Sequence, residues 1–174
     1  FIESCKKIAY MFPKGHAVAY VTMALRVGWF KVYHPLVYYA AYFTIRGNGF
    51  NALTMTKPAD YVFKELQALK ATDQRDLSEK NKDEIVVMEM VCEMGLRGFH
   101  FLPVDLYKSH ETQFQIEDKA LRCPFTSLPN FGIAAAQNLV AVRDEPFISV
   151  EDLKTRARLS TAIIDMLRDT GALN

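Results

Sequence analysis

The chain has 174 residues, of which 50% are apolar and 24% charged, and its formal net charge is +1. That is enough to bury one sizeable core or two small ones, and the composition excludes a disordered chain. Cys5, Cys92 and Cys123 form no Cys-x-x-Cys pair and have no histidine at finger-like spacing, which excludes structural zinc and a disulfide scaffold and predicts a reducing, cytoplasmic setting. Arg26, Lys31 and Arg46 interrupt the longest apolar stretch, and the N-terminus lacks signal-peptide order, so no membrane segment is expected. Phe1 in place of Met, and the ending Gly171-Ala172-Leu173-Asn174, predict that both ends are cuts within a longer polypeptide.

In chain order, residues 2–11 predict a short amphipathic helix stopped by Pro13. A second helix is expected from Lys14–His16 to His34, and a third, with Pro35 at its first position, through Arg46. Apolar residues lie almost all round the second helix, which predicts that it is buried among others. Gly47-Asn48-Gly49 predicts a loop. Residues 57–71 and 79–97 read as two amphipathic helices, the later one capped by Ser78, and together as a solvated connector. After Pro103 the texture turns to short β-prone runs, Val104–Tyr107, Thr112–Glu117 and Ala120–Phe125, with a turn at Asp118-Lys119. From there the chain is helical again in short pieces, whose two turn-and-helix units could be degenerate copies of one another. The expected architecture is mainly α: a helical lobe at 1–98, a β-hairpin linker at 99–123 and a helical module at 124–174.

Charge is unevenly distributed. Residues 1–56 carry Lys6, Lys7, Lys14, Arg26, Lys31 and Arg46 against Glu3 alone, whereas the remaining 118 residues are net acidic. The first third is therefore where an anionic partner is expected, the alternative being a helix surface that is merely basic. Within it, Phe12-Pro13-Lys14-Gly15-His16 places a fixed cation and a switchable donor at a helix start, an arrangement suited to a triphosphate or template phosphate. Spacing alone favours the plainer reading, with Lys14 a solvated cap residue and His16 a hydrogen-bonded core histidine. Arg26 and Lys31 could extend this track or snorkel from a bundle, and the many aromatics of this region read as core rather than base-stacking platforms.

Leu128-Pro129-Asn130-Phe131-Gly132-Ile133 is a turn opening directly into a helix. It needs a positive φ at Asn130 or Gly132 and presents backbone N–H groups to a phosphate, as a helix-hairpin-helix does. Pattern alone also allows an ordinary loop-to-helix junction. The second unit, Ala157-Arg158-Leu159-Ser160, lacks the glycine and reads as mainly structural. No carboxylate cluster suited to two-metal nucleotidyl transfer is present in the first third, and phosphate-loop, zinc-protease and serine-hydrolase motifs are absent. No residue is assigned a catalytic or metal-ligating role.

From Ile2 to Arg46, and above all at Phe12–Val21, the sequence resembles the fingers of C-family replicative DNA polymerases of the PolC type, the polymerase III alpha subunit. The resemblance continues through Met90–Ser109, Pro124–Leu153 and Asp169–Leu173, and is weakest over 57–84. It implies that Lys14 and His16 lie near the nascent base pair, and that the last part is a tandem helix-hairpin-helix that binds the duplex, expected to hold it through the Asn130–Ile133 backbone; Arg26 and Lys31 are expected near the triphosphate or template from their place on the basic helix. The family's Pro-Gly-x-Gly hairpin stands here as Pro129-Asn130-Phe131-Gly132; asparagine tolerates the left-handed turn, though the grip on phosphate is expected to be weaker. The implied partners are primer-template duplex, deoxynucleoside triphosphate and, beyond Asn174, a sliding clamp. Mg²⁺ would be held by palm aspartates preceding Phe1, so this piece alone is expected to be inactive. The competing function class is a stand-alone DNA-binding or protein-interaction module.

Overall fold

A computed structural model describes residues 2–6, 13–72 and 77–173. The first predicted helix is seen as α1 (Ile2–Lys6), and the rest of that prediction, with Phe12, lies outside the described residues. α2 (Lys14–Tyr33) and α3 (Pro35–Arg46) meet at His34, whose φ of −135° and ψ of 58° leave the helical region. Pro35 supplies the cause, since it has no N–H to continue the ladder and its ring excludes helical geometry from the residue before it. Gly28 does not interrupt α2. The loop after α3 is tight: Gly49 has φ +89°, and a Cβ there would come within 3.1 Å of the Glu84 backbone nitrogen.

A short α4 (Ala52–Met55) follows, capped by the Asn51 side chain. α5 (Ala59–Ala71) and α6 (Glu79–Leu96) come next, with the Ser78 hydroxyl accepting from Asn81 N–H at 3.2 Å as foreseen. The pair is not a solvated connector. α5 and α6 pack on one another and bury Val62, Leu66, Val87, Met88, Val91 and Met94. Most of their dense charge, which suggested solvation, lies on exposed faces, Glu93 being an exception that turns toward Tyr39.

β1 (His100–Leu102), β2 (Gln115–Glu117) and β3 (Ala120–Arg122) form a mixed sheet in the order β1-β3-β2. The expected hairpin is the antiparallel β2–β3 pair, turned through Asp118 at φ 55°. β1, which pairs parallel to β3, was not foreseen. The β-prone run Val104–Tyr107 is no strand, because side chains capture its backbone. The Asp105 carboxylate accepts from Tyr107 and Lys108 N–H, and the Ser109 hydroxyl accepts from Asp105 N–H and donates to the Cys123 carbonyl. Such local bonds compete directly with a ladder. A 3₁₀ turn (Phe125–Ser127), α7 (Ile133–Val142), α8 (Val150–Arg156) and α9 (Thr161–Asp169) complete the chain, which is mainly helical as expected.

The buried side chains form one cluster running from Tyr39 in α3 to Leu167 in α9, continuous across residues 98 and 123. Within it Phe43, Phe101 and Phe114, with the half-buried Phe50 packed against them, touch pairwise, with ring centroids 4.9 to 5.8 Å apart. α2 lies outside this core. None of its side chains is buried, and Val21, Leu25, Trp29 and Tyr33 are 49 to 69% exposed. This corrects the expectation of a buried second helix: apolar residues all round record a tendency to be covered, and among the described residues nothing covers them.

Phe101→Ala removes one of the four central rings and should cost about 3–5 kcal/mol, read as a lowered denaturation midpoint; a loss near zero would contradict the central role of the cluster. Arg122, 8% exposed, is gripped by Glu117 at 2.7 to 2.9 Å and by the Pro103 carbonyl. Hydrogen bonds from Arg122, aided by Lys108, outweigh desolvation and hold the Glu117 carboxyl below its usual range. A carboxylate with a lowered folded pKa contributes stability above its unfolded pKa and loses it as pH falls through the folded one. Glu117→Gln should therefore lower the melting temperature at neutral pH and flatten its fall in acid; an unchanged acid limb would contradict the pairing.

Candidate nucleic-acid interface

Two loops in the last third share one geometry. In the first, Asn130 adopts φ 59°, Phe131 is buried against Phe125, and Gly132 is extended at φ −68° and ψ 153° before α7 begins. In the second, Arg158 adopts φ 53°, Leu159 is buried, and Ser160 is extended at φ −73° and ψ 158° before α9 begins. Left-handed residue, buried apolar anchor, extended cap and helix start recur in the same order. The positive φ falls on Asn130 rather than Gly132, which is reasonable for a short polar side chain. Phe131 is buried and its N–H donates to the Leu128 carbonyl, whereas Asn130, Gly132 and Ile133 are exposed.

Gly132 carries no side-chain cap, so the first N–H groups of α7 have none from it. A Cβ at Gly132 would meet nothing within 4 Å, so neither its own geometry nor its neighbours demand a glycine. The second loop is the more basic. Lys154 and Arg158 are exposed beside it, and the Lys154 ammonium donates to the Thr161 hydroxyl at 2.8 Å, across from α8 to α9. The sequence reading set this loop aside for want of a glycine. The usable signal was the register itself, since Ala157-Arg158-Leu159-Ser160 aligns position by position with Pro129-Asn130-Phe131-Gly132.

At the other candidate site, Lys14 and His16 are exposed in the first turn of α2, and the His16 ring lies 4.3 Å from that of Tyr20. Arg26 is also exposed, and neither it nor Lys14 forms an ion pair among the described residues. Lys31 differs. Its ammonium lies 2.7 Å from Glu93 on α6 and 5.2 Å from the centre of the Tyr38 ring. Glu93 also accepts from the buried Tyr39 hydroxyl at 3.2 Å and pairs with Arg97 at 3.3 Å, while Arg97 donates to the Lys31 carbonyl at 2.9 Å. Burial pulls the Glu93 carboxyl up, but Lys31, Tyr39 and Arg97 together hold it below its usual range. The Tyr39 hydroxyl is pushed up to about 12 by burial and by the facing carboxylate. Lys31 thus has its charge matched within the fold, whereas Lys14 and Arg26 do not.

Among the described residues no three His, Cys, Asp or Glu side chains converge to hold a metal ion, and no helix is long and apolar enough to cross a membrane. The helix-hairpin-helix motif family matches residues 98–174, which contain both loops. The whole chain is 48% identical to part of the DNA polymerase III PolC-type of Thermotoga petrophila, 46% to that of Thermotoga maritima and 45% to that of Bacillus subtilis, covering 99% of this chain in each case. The chain spans 12–13% of the length of these relatives. From end to end, then, this chain is similar to one segment of PolC-type DNA polymerases III, and its last part matches the helix-hairpin-helix motif family.

Proposed function

We propose that this chain is the part of a replicative, DNA-directed DNA polymerase that steadies the primer-template and the incoming deoxynucleoside triphosphate without supplying the catalytic carboxylates. The observation that carries this reading is the repeated loop geometry within 98–174, set in a chain related throughout to PolC-type polymerases. In each loop a buried anchor fixes the backbone and an exposed extended residue leads into a helix, where N–H groups and the positive helix end suit a phosphate oxygen. Such contacts position a duplex without reading its sequence.

The start of α2 supplies the second contact. Lys14, His16 and Arg26 are exposed cations or donors on one helix, matched to the negative charge of a triphosphate or template strand. Lys31 belongs to the base of that helix, held by Glu93. Glu3 is the single acid in residues 1–56, so the Mg²⁺ of nucleotidyl transfer would be held by other parts of the parent polymerase. The sliding clamp would likewise engage the parent polymerase elsewhere, in the cytoplasm.

Two substitutions test the two contacts. In the full-length parent polymerase, Lys14→Ala should lower nucleotide kcat/KM about tenfold or more, the scale of a lost charge-assisted hydrogen bond, with primer-template affinity retained. Unchanged kinetics would remove the nucleotide role and favour a simple DNA-binding module. In the 174-residue chain, Gly132→Val should keep the fold, since a Cβ there meets nothing within 4 Å and the backbone is extended, yet weaken sequence-independent duplex binding roughly tenfold at fixed salt. Undiminished binding would contradict the hairpin contact.

A further inference from the structure

α2 is tied to the body of the protein in an unusual way. Among the described residues it contributes no side chain to the hydrophobic core, and beyond its corner with α3 its polar ties run through Glu93 at the end of α6 and Arg97 just after it. Glu93 is the common member. It takes Lys31 of α2 at 2.7 Å, Tyr39 of α3 at 3.2 Å and Arg97 at 3.3 Å, and Arg97 closes the ring by donating to the Lys31 carbonyl at 2.9 Å. Tyr39 is fully buried, so its hydroxyl is a fixed reference point in the core. The tie therefore connects the last turn of α2 to a rigid group, on both the side-chain and the main-chain side of Lys31.

From Lys31 to Lys14 the helix rises ~26 Å, at about 1.5 Å per residue. A tilt of about 10° at the base would move the far end by roughly 4 Å over that length, more than the tolerance of a phosphate hydrogen bond. Among the described residues, the apolar side chains along α2 are exposed and have no covering surface that would limit such a tilt. We propose that Glu93 is a positioning residue for nucleotide incorporation, setting the angle of α2 and thereby the place of Lys14. This rests on the nucleotide reading of Lys14 given above, and it assigns Glu93 no contact with substrate.

The test is a double-mutant cycle in the full-length polymerase, with single-nucleotide incorporation on a primed template as readout. Glu93→Gln keeps the size of the side chain and an acceptor for Tyr39 but removes the charge that holds Lys31 and Arg97. It should lower nucleotide kcat/KM about fivefold or more, with primer-template Kd within twofold of the parent, and Glu93→Asp should recover part of the loss. In a Lys14→Ala background the effect of Glu93→Gln should shrink below twofold, because the group being positioned is gone. Full additivity of the two losses, as a merely structural role would give, overturns the proposal. If Lys14→Ala is effective and Glu93→Gln is not, positioning by Glu93 fails while the nucleotide reading stands. If Lys14→Ala has no effect, the nucleotide reading fails and the proposal falls with it.

Discussion

Phe43, Phe50, Phe101 and Phe114 come from α3, the loop behind it, β1 and the approach to β2, and each ring touches the other three. Aromatic rings bury large areas in two-torsion side chains, and edge-to-face contact adds directional preference. Two stretches of chain some fifty residues apart, around Phe43 and Phe50 and around Phe101 and Phe114, are thereby held at one point. The Phe114 N–H donates to the Thr44 hydroxyl at 3.1 Å beside the cluster, tying the same segments by a polar bond. Everything downstream is referred to this point: β3 lies between β1 and β2, Arg122 ties the hairpin to Pro103, and the Ser109 hydroxyl bonds the Cys123 carbonyl just before the 3₁₀ turn. The helix-hairpin-helix loops are in this sense continuous with α3.

α2 stands apart from that continuity. Its neighbour α3 is buried at Tyr39 and Phe43, whereas α2 buries nothing and meets the body mainly through charged groups. A run of apolar side chains this exposed, among the described residues, is uncommon on a monomeric surface. The nucleotide reading of its first turn is compatible with that, since a helix that projects from the core brings Lys14 and His16 away from the body of this chain.

Strong local signals were readable from sequence because each has a local cause. Pro35 divides α2 from α3, Ser78 starts α6, and Asp118 turns β2 into β3. What could not be read depends on partners distant in sequence. β1 is three residues long and exists through its parallel pairing with β3. The Val104–Tyr107 run lost its strand to Asp105 and Ser109 side chains, a competition that apolar patterning does not register. The burial of α2 was inferred from its own composition, which cannot supply a covering surface. At the interface, the first loop was legible from Gly132 and Asn130, whereas the second was passed over because glycine was taken as the requirement; Arg158 shows that the left-handed position, not glycine, is what the loop needs. That Lys31 is matched by Glu93, 62 residues away, is a tertiary fact no motif could carry.

The central claim is that two helix starts, that of α2 at Lys14 and that of α7 at Ile133, attend the same nucleic acid. A structure of the full-length parent polymerase with primer-template and incoming nucleotide measures this directly. The account predicts a duplex phosphate oxygen within hydrogen-bonding distance of the Gly132–Ala134 amides and the Lys14 ammonium against the triphosphate or the template strand beside it. Finding either helix start packed against protein, or turned away from the bound nucleic acid, would contradict it.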